Sequence, residues 1–242
     1  RRIARLAEVG PGDRVVEIGA GLGSLTLALL ETGARVTAIE LDDGLVDVLH
    51  ETAPAAEIVA GDARQLDWTA LLAGRPAVVV ANLPYYAATS IVADLLDDVP
   101  LVERLLVMVQ AEVGERLAAG PGTKAYGAVS VKVAYWAEAS VVGRVSPSVF
   151  LPRPKVDSAL VAIRRRPVPA GPPSVPPEDL FRLVRAGFGQ RRKTLRRSLA
   201  DLATEDDFVS AGIDTGARAE QLDVDAWGRL ALAVHERGVA AG

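Results

Sequence analysis

Arg14-Val15-Val16-Glu17-Ile18-Gly19-Ala20-Gly21-Leu22-Gly23 decides how this chain folds. Its first five residues read as a short buried strand. The closely spaced glycines that follow let the backbone approach a ligand, and Ser24 to Leu30 reads as a helix opening from that turn. Working outward, strands are expected at Arg35–Ile39, Glu57–Ala60 and Ala77–Ala81. The last is wholly apolar, as a central parallel strand covered on both faces should be. Helices over 43–50, 88–97 and 110–118 and a strand over 104–109 complete an alternating order, which predicts a doubly wound α/β sheet of Rossmann-like type. After a helix that follows Tyr126, two further strands, 140–145 and 158–164, have only a Pro-rich loop between them and predict an antiparallel pair at the sheet edge. The six prolines of 167–177 predict a linker, since they can continue neither helix nor sheet. The expected organisation is therefore a first domain over 1–166, a linker over 167–177 and a small helical domain over 178–242. Arg1 to Leu6 reads as the interior of a helix, with the N-terminus trimmed.

Composition removes several classes of function. The chain has 242 residues, 50% hydrophobic and 24% charged, with a formal net charge of −4. With no Cys it has no thiol nucleophile, thiolate metal site or disulfide, which favours a cytoplasmic setting. His50 and His235 lack a second His at helical spacing, so no metal centre is expected. No apolar run approaches the roughly 18 residues of a membrane span, so no membrane association is expected. Charge is uneven: residues 1–152 carry −7, residues 153–197 carry +9 and residues 198–242 carry −6. A basic block in an acidic protein fits a polyanion partner, although a solvated helix face would give the same count.

Ligands of such sheets bind at the carboxyl ends of the strands. The glycine turn has the spacing G-x-G-x-G, with Ser24 where a dinucleotide fingerprint has Gly. Glu40 ends the second strand, where an acid can accept both ribose hydroxyls, and Asp62 follows the third, where a carboxylate can take an adenine amino group. Either acid alone could merely cap a helix. Together with the glycine turn, on successive strand ends, they describe a pocket for adenosine carrying a sulfonium group, without a Walker lysine. Asn82-Leu83-Pro84-Tyr85 then ends the fourth strand. An exocyclic amino nitrogen is a poor nucleophile because its lone pair is delocalised into the ring. If the Asn82 side-chain oxygen and a carbonyl preceding or on Pro84 accept its hydrogens, the nitrogen can pyramidalise, while Tyr85 offers a π face to the base.

These residues resemble the ribosomal RNA adenine dimethyltransferases, on the small-subunit branch of that family. The resemblance runs over nearly the whole chain. It rests on Glu17-Ile18-Gly19-Ala20-Gly21, Ile39-Glu40-Leu41-Asp42, Gly61-Asp62-Ala63, Asn82-Leu83-Pro84-Tyr85, Gln110-Ala111-Glu112-Val113, Tyr126 to Val131, Phe150-Leu151-Pro152-Arg153-Pro154-Lys155-Val156-Asp157-Ser158 and Gln190-Arg191-Arg192-Lys193-Thr194-Leu195-Arg196. It implies a class I methyltransferase sheet that binds S-adenosylmethionine through Glu17, Gly19, Ala20, Gly21, Glu40, Leu41, Asp62, Ala63 and Asn82. The reacting adenine would be held by Asn82, Leu83, Pro84, Tyr85 and Phe150, with Tyr85 and Phe150 sandwiching a base that has left its stack. Arg153, Lys155, Arg191, Arg192, Lys193, Arg196 and Arg197 would grip the RNA backbone.

The implied reaction is N6,N6-dimethylation of two adjacent adenosines near the 3′ end of small-subunit ribosomal RNA, on the assembling subunit, by a monomer. Four transfers mean that both amino hydrogens cannot be gripped in every turnover. Two departures stand out. The Gln-Asn-Phe-Leu segment usual before the family's first helix is absent from this sequence, which predicts weaker cofactor binding, and Tyr86 stands where bacterial members commonly have Asn. A large-subunit methyltransferase of the macrolide-resistance type, a non-catalytic RNA-binding assembly factor and, more distantly, a nicotinamide dehydrogenase remain as alternatives.

Overall fold

The computed structural model describes residues 1–150 and 153–240. Among these, seven strands form one sheet: β1 Arg14–Ile18, β2 Arg35–Glu40, β3 Glu57–Ala60, β4 Ala77–Asn82, β5 Val102–Gln110, β6 Ala137–Val145 and β7 Ser158–Arg165. The helices are α1 Arg2–Leu6, α2 Ser24–Leu30, α3 Asp43–Thr52, α4 Trp68–Leu72, α5 Ala88–Asp98, α6 Ala111–Leu117, α7 Ala128–Trp136, α8 Pro177–Gly189, α9 Leu195–Ser198, α10 Glu205–Ala211 and α11 Val224–Ala240. The expected α/β class and strand positions are as observed. Helix α4 is an addition, started by the Asp67 side chain accepting from the Ala70 N–H.

The sheet order is β3-β2-β1-β4-β5-β7-β6, with the first five strands parallel. The crossovers run one way from β1 to β3 and the other way from β4 to β5. The order therefore reverses between β1 and β4, and a crevice opens beyond the carboxyl ends of those two strands. Strand β7 lies antiparallel to β5, from Arg104 opposite Arg164 to Gln110 opposite Ser158, and β6 lies outside it. Val78 to Ala81 on β4 are all buried, because helices cover both sheet faces. On one side Val15, Val36, Val78, Val80 and Leu106 pack with Ala4, Ala28 and Leu29. Helix α5 contributes Ile91, Val92, Leu95 and Leu96 to the core. Its C-terminal carbonyls are held by Arg165, which donates to the carbonyls of Leu95, Leu96 and Val99 and to that of Val102, at 2.9–3.2 Å.

The chain divides into two compact units, but not at the expected boundary. One comprises residues 1–118 and 138–165, the other residues 119–137 and 166–242. Helix α7, expected in the first domain, belongs to the second unit because its apolar side chains join that unit's core: Tyr126, Val131 and Tyr135 pack with Leu180, Phe181, Phe208 and Trp227. The Tyr126 hydroxyl, whose pKa is pushed up by burial, donates to the Leu222 carbonyl at 2.9 Å. Residues 167–177 are also not a free linker. Val175 is buried, the Ala170 N–H donates to the Tyr135 carbonyl at 2.9 Å, and Gly171 lies so close to Tyr135 that an added Cβ would sit 2.3 Å from the ring. Proline blocks regular hydrogen bonding here but leaves the segment free to pack in extended form.

Candidate active site

A cavity of about 540 Å³ occupies the crevice of the first unit. Its walls come from successive strand ends: Ile18 and Gly19 after β1, Glu40 and Leu41 at β2, Gly61 to Arg64 after β3, and Asn82 to Ala87 at β4. Phe150 and Pro154 contribute from the segment before β7. That volume suits a small-molecule site. The glycine turn makes the approach possible. Gly19 has φ +73°, and the Asn82 carbonyl oxygen lies 3.7 Å from where its Cβ would be. Gly23, at φ +83°, sits against Thr52 and Leu49 of α3, with side-chain atoms 3.1 and 3.2 Å from a Cβ position.

Glu40 and Asp62 both line the cavity, and both are already oriented by the protein. The Glu40 carboxylate accepts from the backbone N–H groups of Gly21 at 2.8 Å, Leu41 at 2.8 Å and Asp42 at 3.1 Å. A carboxylate has about four lone-pair positions. Acceptor capacity therefore remains on Glu40 toward the cavity, where the ribose is expected. Asp62 accepts from the Arg64 N–H at 2.9 Å and the Gln65 side-chain amide at 3.2 Å.

Three expected cofactor residues, Glu17, Ala20 and Gly21, do not face the cavity. Ala20 packs against Ala38 and Leu49, and Gly21 contributes its N–H to Glu40. Glu17 lies inside the sheet at 1% exposure. Burial drives its pKa up to about 7, with Thr26 partly opposing this and the Glu40 charge adding to it. Its Oε2 atom has no hydrogen-bond partner.

Asn82-Leu83-Pro84-Tyr85 is positioned by alternation. Leu83 is buried and its N–H donates to the Met108 carbonyl at 3.1 Å, so Asn82 and Pro84 on either side are exposed toward the cavity. The Leu83 side chain is thus an anchor, and a role for this residue beside the reacting adenine would fall to its backbone carbonyl. The Pro84 carbonyl accepts from the N–H groups of both Ala87 and Ala88 at 3.0 Å, closing a turn that starts α5. Tyr85 and Phe150 line the same cavity. The Tyr85 hydroxyl lies 3.3 Å from the hydroxyl of Ser158, which is 1% exposed at the start of β7. Ser158 thus sets the direction of the Tyr85 ring, a function its position in the Pro-Lys-Val-Asp-Ser stretch did not disclose.

The basic block is less available than its count suggests. Arg191 is engaged by the Glu220 carboxylate at 2.7 Å and the Lys124 carbonyl at 3.0 Å. Arg165 is committed to α5, and Arg166 donates to the Ala134 carbonyl at 3.1 Å. Arg196 stands 3.7 Å from Glu205 in an exposed pair. Arg192, Lys193 and Arg197 are exposed on the second unit, and Arg153 and Lys155 are exposed on the first. Leu151 and Pro152 of the Phe150 motif lie outside the described residues. Among those described, no cluster of acidic and His residues could hold a metal ion and no helix is long and apolar enough to cross a membrane.

The chain is 48% identical to ribosomal RNA small subunit methyltransferase A of Thermobifida fusca (strain YX) over 244 residues, covering 96% of this chain and 84% of that one. The crystal structure of a dimethyladenosine transferase from Plasmodium falciparum is similar with a TM-score of 0.81 at 25% identity, covering 98% of this chain and 95% of that one. That of the 23S rRNA methyltransferase ErmE has a TM-score of 0.75 at 27% identity, covering 97% and 96%. The family model for ribosomal RNA adenine dimethylase matches residues 1–236, nearly the full length, and the chain belongs to that family.

Proposed function

We propose that this protein transfers methyl groups from S-adenosylmethionine to the N6 atoms of two adjacent adenosines near the 3′ end of small-subunit ribosomal RNA. It would act in the cytoplasm, as a monomer on the assembling subunit. The observation that carries this reading is that Asn82, Tyr85 and Phe150 share one cavity with Gly19, Glu40 and Asp62. The residues present suit the methyl donor: Glu40 keeps acceptor capacity for the ribose hydroxyls, Asp62 can accept an adenine amino hydrogen, and Gly19 leaves room beside the Asn82 carbonyl. When bound, S-adenosylmethionine supplies an electrophilic methyl group.

The chain's own residues supply position and acceptors. Asn82 offers a side-chain oxygen to one N6 hydrogen. With the Pro84 carbonyl already taken by two N–H groups, the Leu83 carbonyl is the acceptor left for the other. In the first transfer to each adenosine both acceptors draw the nitrogen lone pair out of conjugation, in the second only one hydrogen remains to be held, and in both Tyr85 and Phe150 hold the flipped base. Held by these residues, the methyl donor would give up its methyl group and leave as a neutral thioether, and N6 would pass its excess proton to water. No dedicated base is required. Arg192, Lys193 and Arg197, with Arg153 and Lys155, are assigned to the RNA backbone, and the second unit to RNA binding.

Substituting Asn82→Ala tests the assignment. Methyl transfer to small-subunit RNA is expected to fall by at least about a hundredfold, the scale of losing one preorganised transition-state partner, with RNA affinity unchanged. Full methyl transfer by the variant would remove Asn82 from the reaction.

A further inference from the structure

We infer that Tyr86 is a stacking platform for the base next to the reacting adenine, so that the RNA is recognised on two successive nucleotides by two successive tyrosines. This inference rests on the proposed function and extends its substrate contacts by one nucleotide.

The chain has four tyrosines. Tyr126 and Tyr135 are core residues at 1% and 4% exposure, and Tyr85 is turned inward toward Ser158. Tyr86 is 88% exposed while still lining the cavity beside Asn82, Pro84 and Tyr85. A single exposed apolar residue elsewhere on a surface would need no explanation. Here three features coincide. The ring is at the mouth of the site. Its backbone is fixed, because Pro84 restricts φ and the Pro84 carbonyl closes the turn onto Ala87 and Ala88. Its neighbour Tyr85, 37% exposed and held at its hydroxyl by Ser158, lines the same cavity, so two aromatic side chains stand on consecutive Cα atoms, about 3.8 Å apart, at one site.

Single-stranded RNA is read largely by bases stacking on aromatic faces. A nucleotide flipped into the cavity draws its covalent neighbour to the rim. There an exposed ring on a closed turn meets it, with its Cα already placed at the rim. Stacking needs the π face and not the hydroxyl, and it tolerates either purine or pyrimidine.

The test uses the full chain, a short single-stranded RNA containing two adjacent adenosines, and two versions of it with an abasic site on one or the other side of the target. Tyr86→Ala is expected to weaken binding of the intact RNA by roughly tenfold, the scale of one lost base–aromatic stack. Binding of S-adenosylmethionine should be unchanged. One of the abasic RNAs should bind wild type and variant equally, which identifies the stacked side, and Tyr86→Phe and Tyr86→Trp should retain the wild-type affinity. Undiminished RNA binding by Tyr86→Ala, an equal loss on both abasic RNAs, or a loss in Tyr86→Phe as large as in Tyr86→Ala would overturn the assignment. Absence of methyl transfer by the wild-type chain counts against the proposed function instead, and is read in a separate reaction.

Discussion

Replacing Glu17 by Gln should make the first unit more stable at alkaline pH and remove one component of its pH dependence. The Glu17 carboxyl is raised from 4.5 to about 7 by burial, so the folded state binds its proton more tightly than the unfolded state. For an acid shifted upward, stability is full below the unfolded value and is lost as pH rises through the folded one. Each tenfold difference in proton affinity between the two states is worth about 1.4 kcal/mol, so integrating between pH 5 and pH 8 gives a loss of roughly 2–3 kcal/mol from this single group. The variant cannot ionise there. Urea unfolding of both proteins at pH 5, 6, 7 and 8 measures the difference, which should grow by that amount toward pH 8 in favour of Glu17→Gln. Comparing the two proteins cancels the contributions of the remaining carboxylates. A pH-independent offset would show that Glu17 is already ionised in the folded protein at neutral pH, and the account of a neutral acid beneath the glycine turn would be wrong. The same pair of proteins tests whether Glu17 touches the cofactor. Its place behind the cavity wall predicts little change in S-adenosylmethionine affinity.

Arg165→Met removes four hydrogen bonds, to the carbonyls of Leu95, Leu96, Val99 and Val102, of which those of Leu95 and Val99 keep a backbone donor, and should destabilise the first unit by about 3 kcal/mol, measured by chemical unfolding; Arg165→Lys, a point charge without the planar fork, should recover only part of it. Replacing Arg192, Lys193 and Arg197 together should reduce the salt dependence of RNA binding, lowering the slope of log affinity against log salt by up to about 2 at roughly 0.7 per phosphate contact. Arg191→Ala should instead lower thermal stability of the second unit, because it breaks contacts to Glu220 and Lys124.

Much of the fold was legible because its signals are local. The short β-branched run at Val78 to Ala81 fits a strand covered on both faces, and a glycine turn between strand and helix marks the ligand end of the sheet. The expected placement of Asn82, Tyr85, Glu40 and Asp62 follows from the same logic, since strand ends of a doubly wound sheet converge. What was not legible depends on distant partners. Arg165, Arg166 and Arg191 look in sequence like the exposed Arg192, and only their distance to carbonyls and to Glu220 separates them. Helix α4 is five residues long, too short for a periodic pattern. The apolar character of 128–136 fits a buried helix but cannot say which core it joins. The Ser158 contact to Tyr85 spans 73 positions and has no sequence signature.

The second unit is interleaved with the first in chain order, since residues 119–137 precede and residues 166–242 follow a pair of strands that belong elsewhere. During synthesis from the amino end, α7 must therefore wait with its apolar side chains unsatisfied until 138–165 have emerged and α8 arrives. A fragment starting at 178 would lack Tyr126, Val131 and Tyr135 and bare the inner surface of its own helices. Limited proteolysis or gene dissection at the proline-rich stretch should consequently release no autonomous carboxyl-terminal piece, however much that stretch looks like a place to cut.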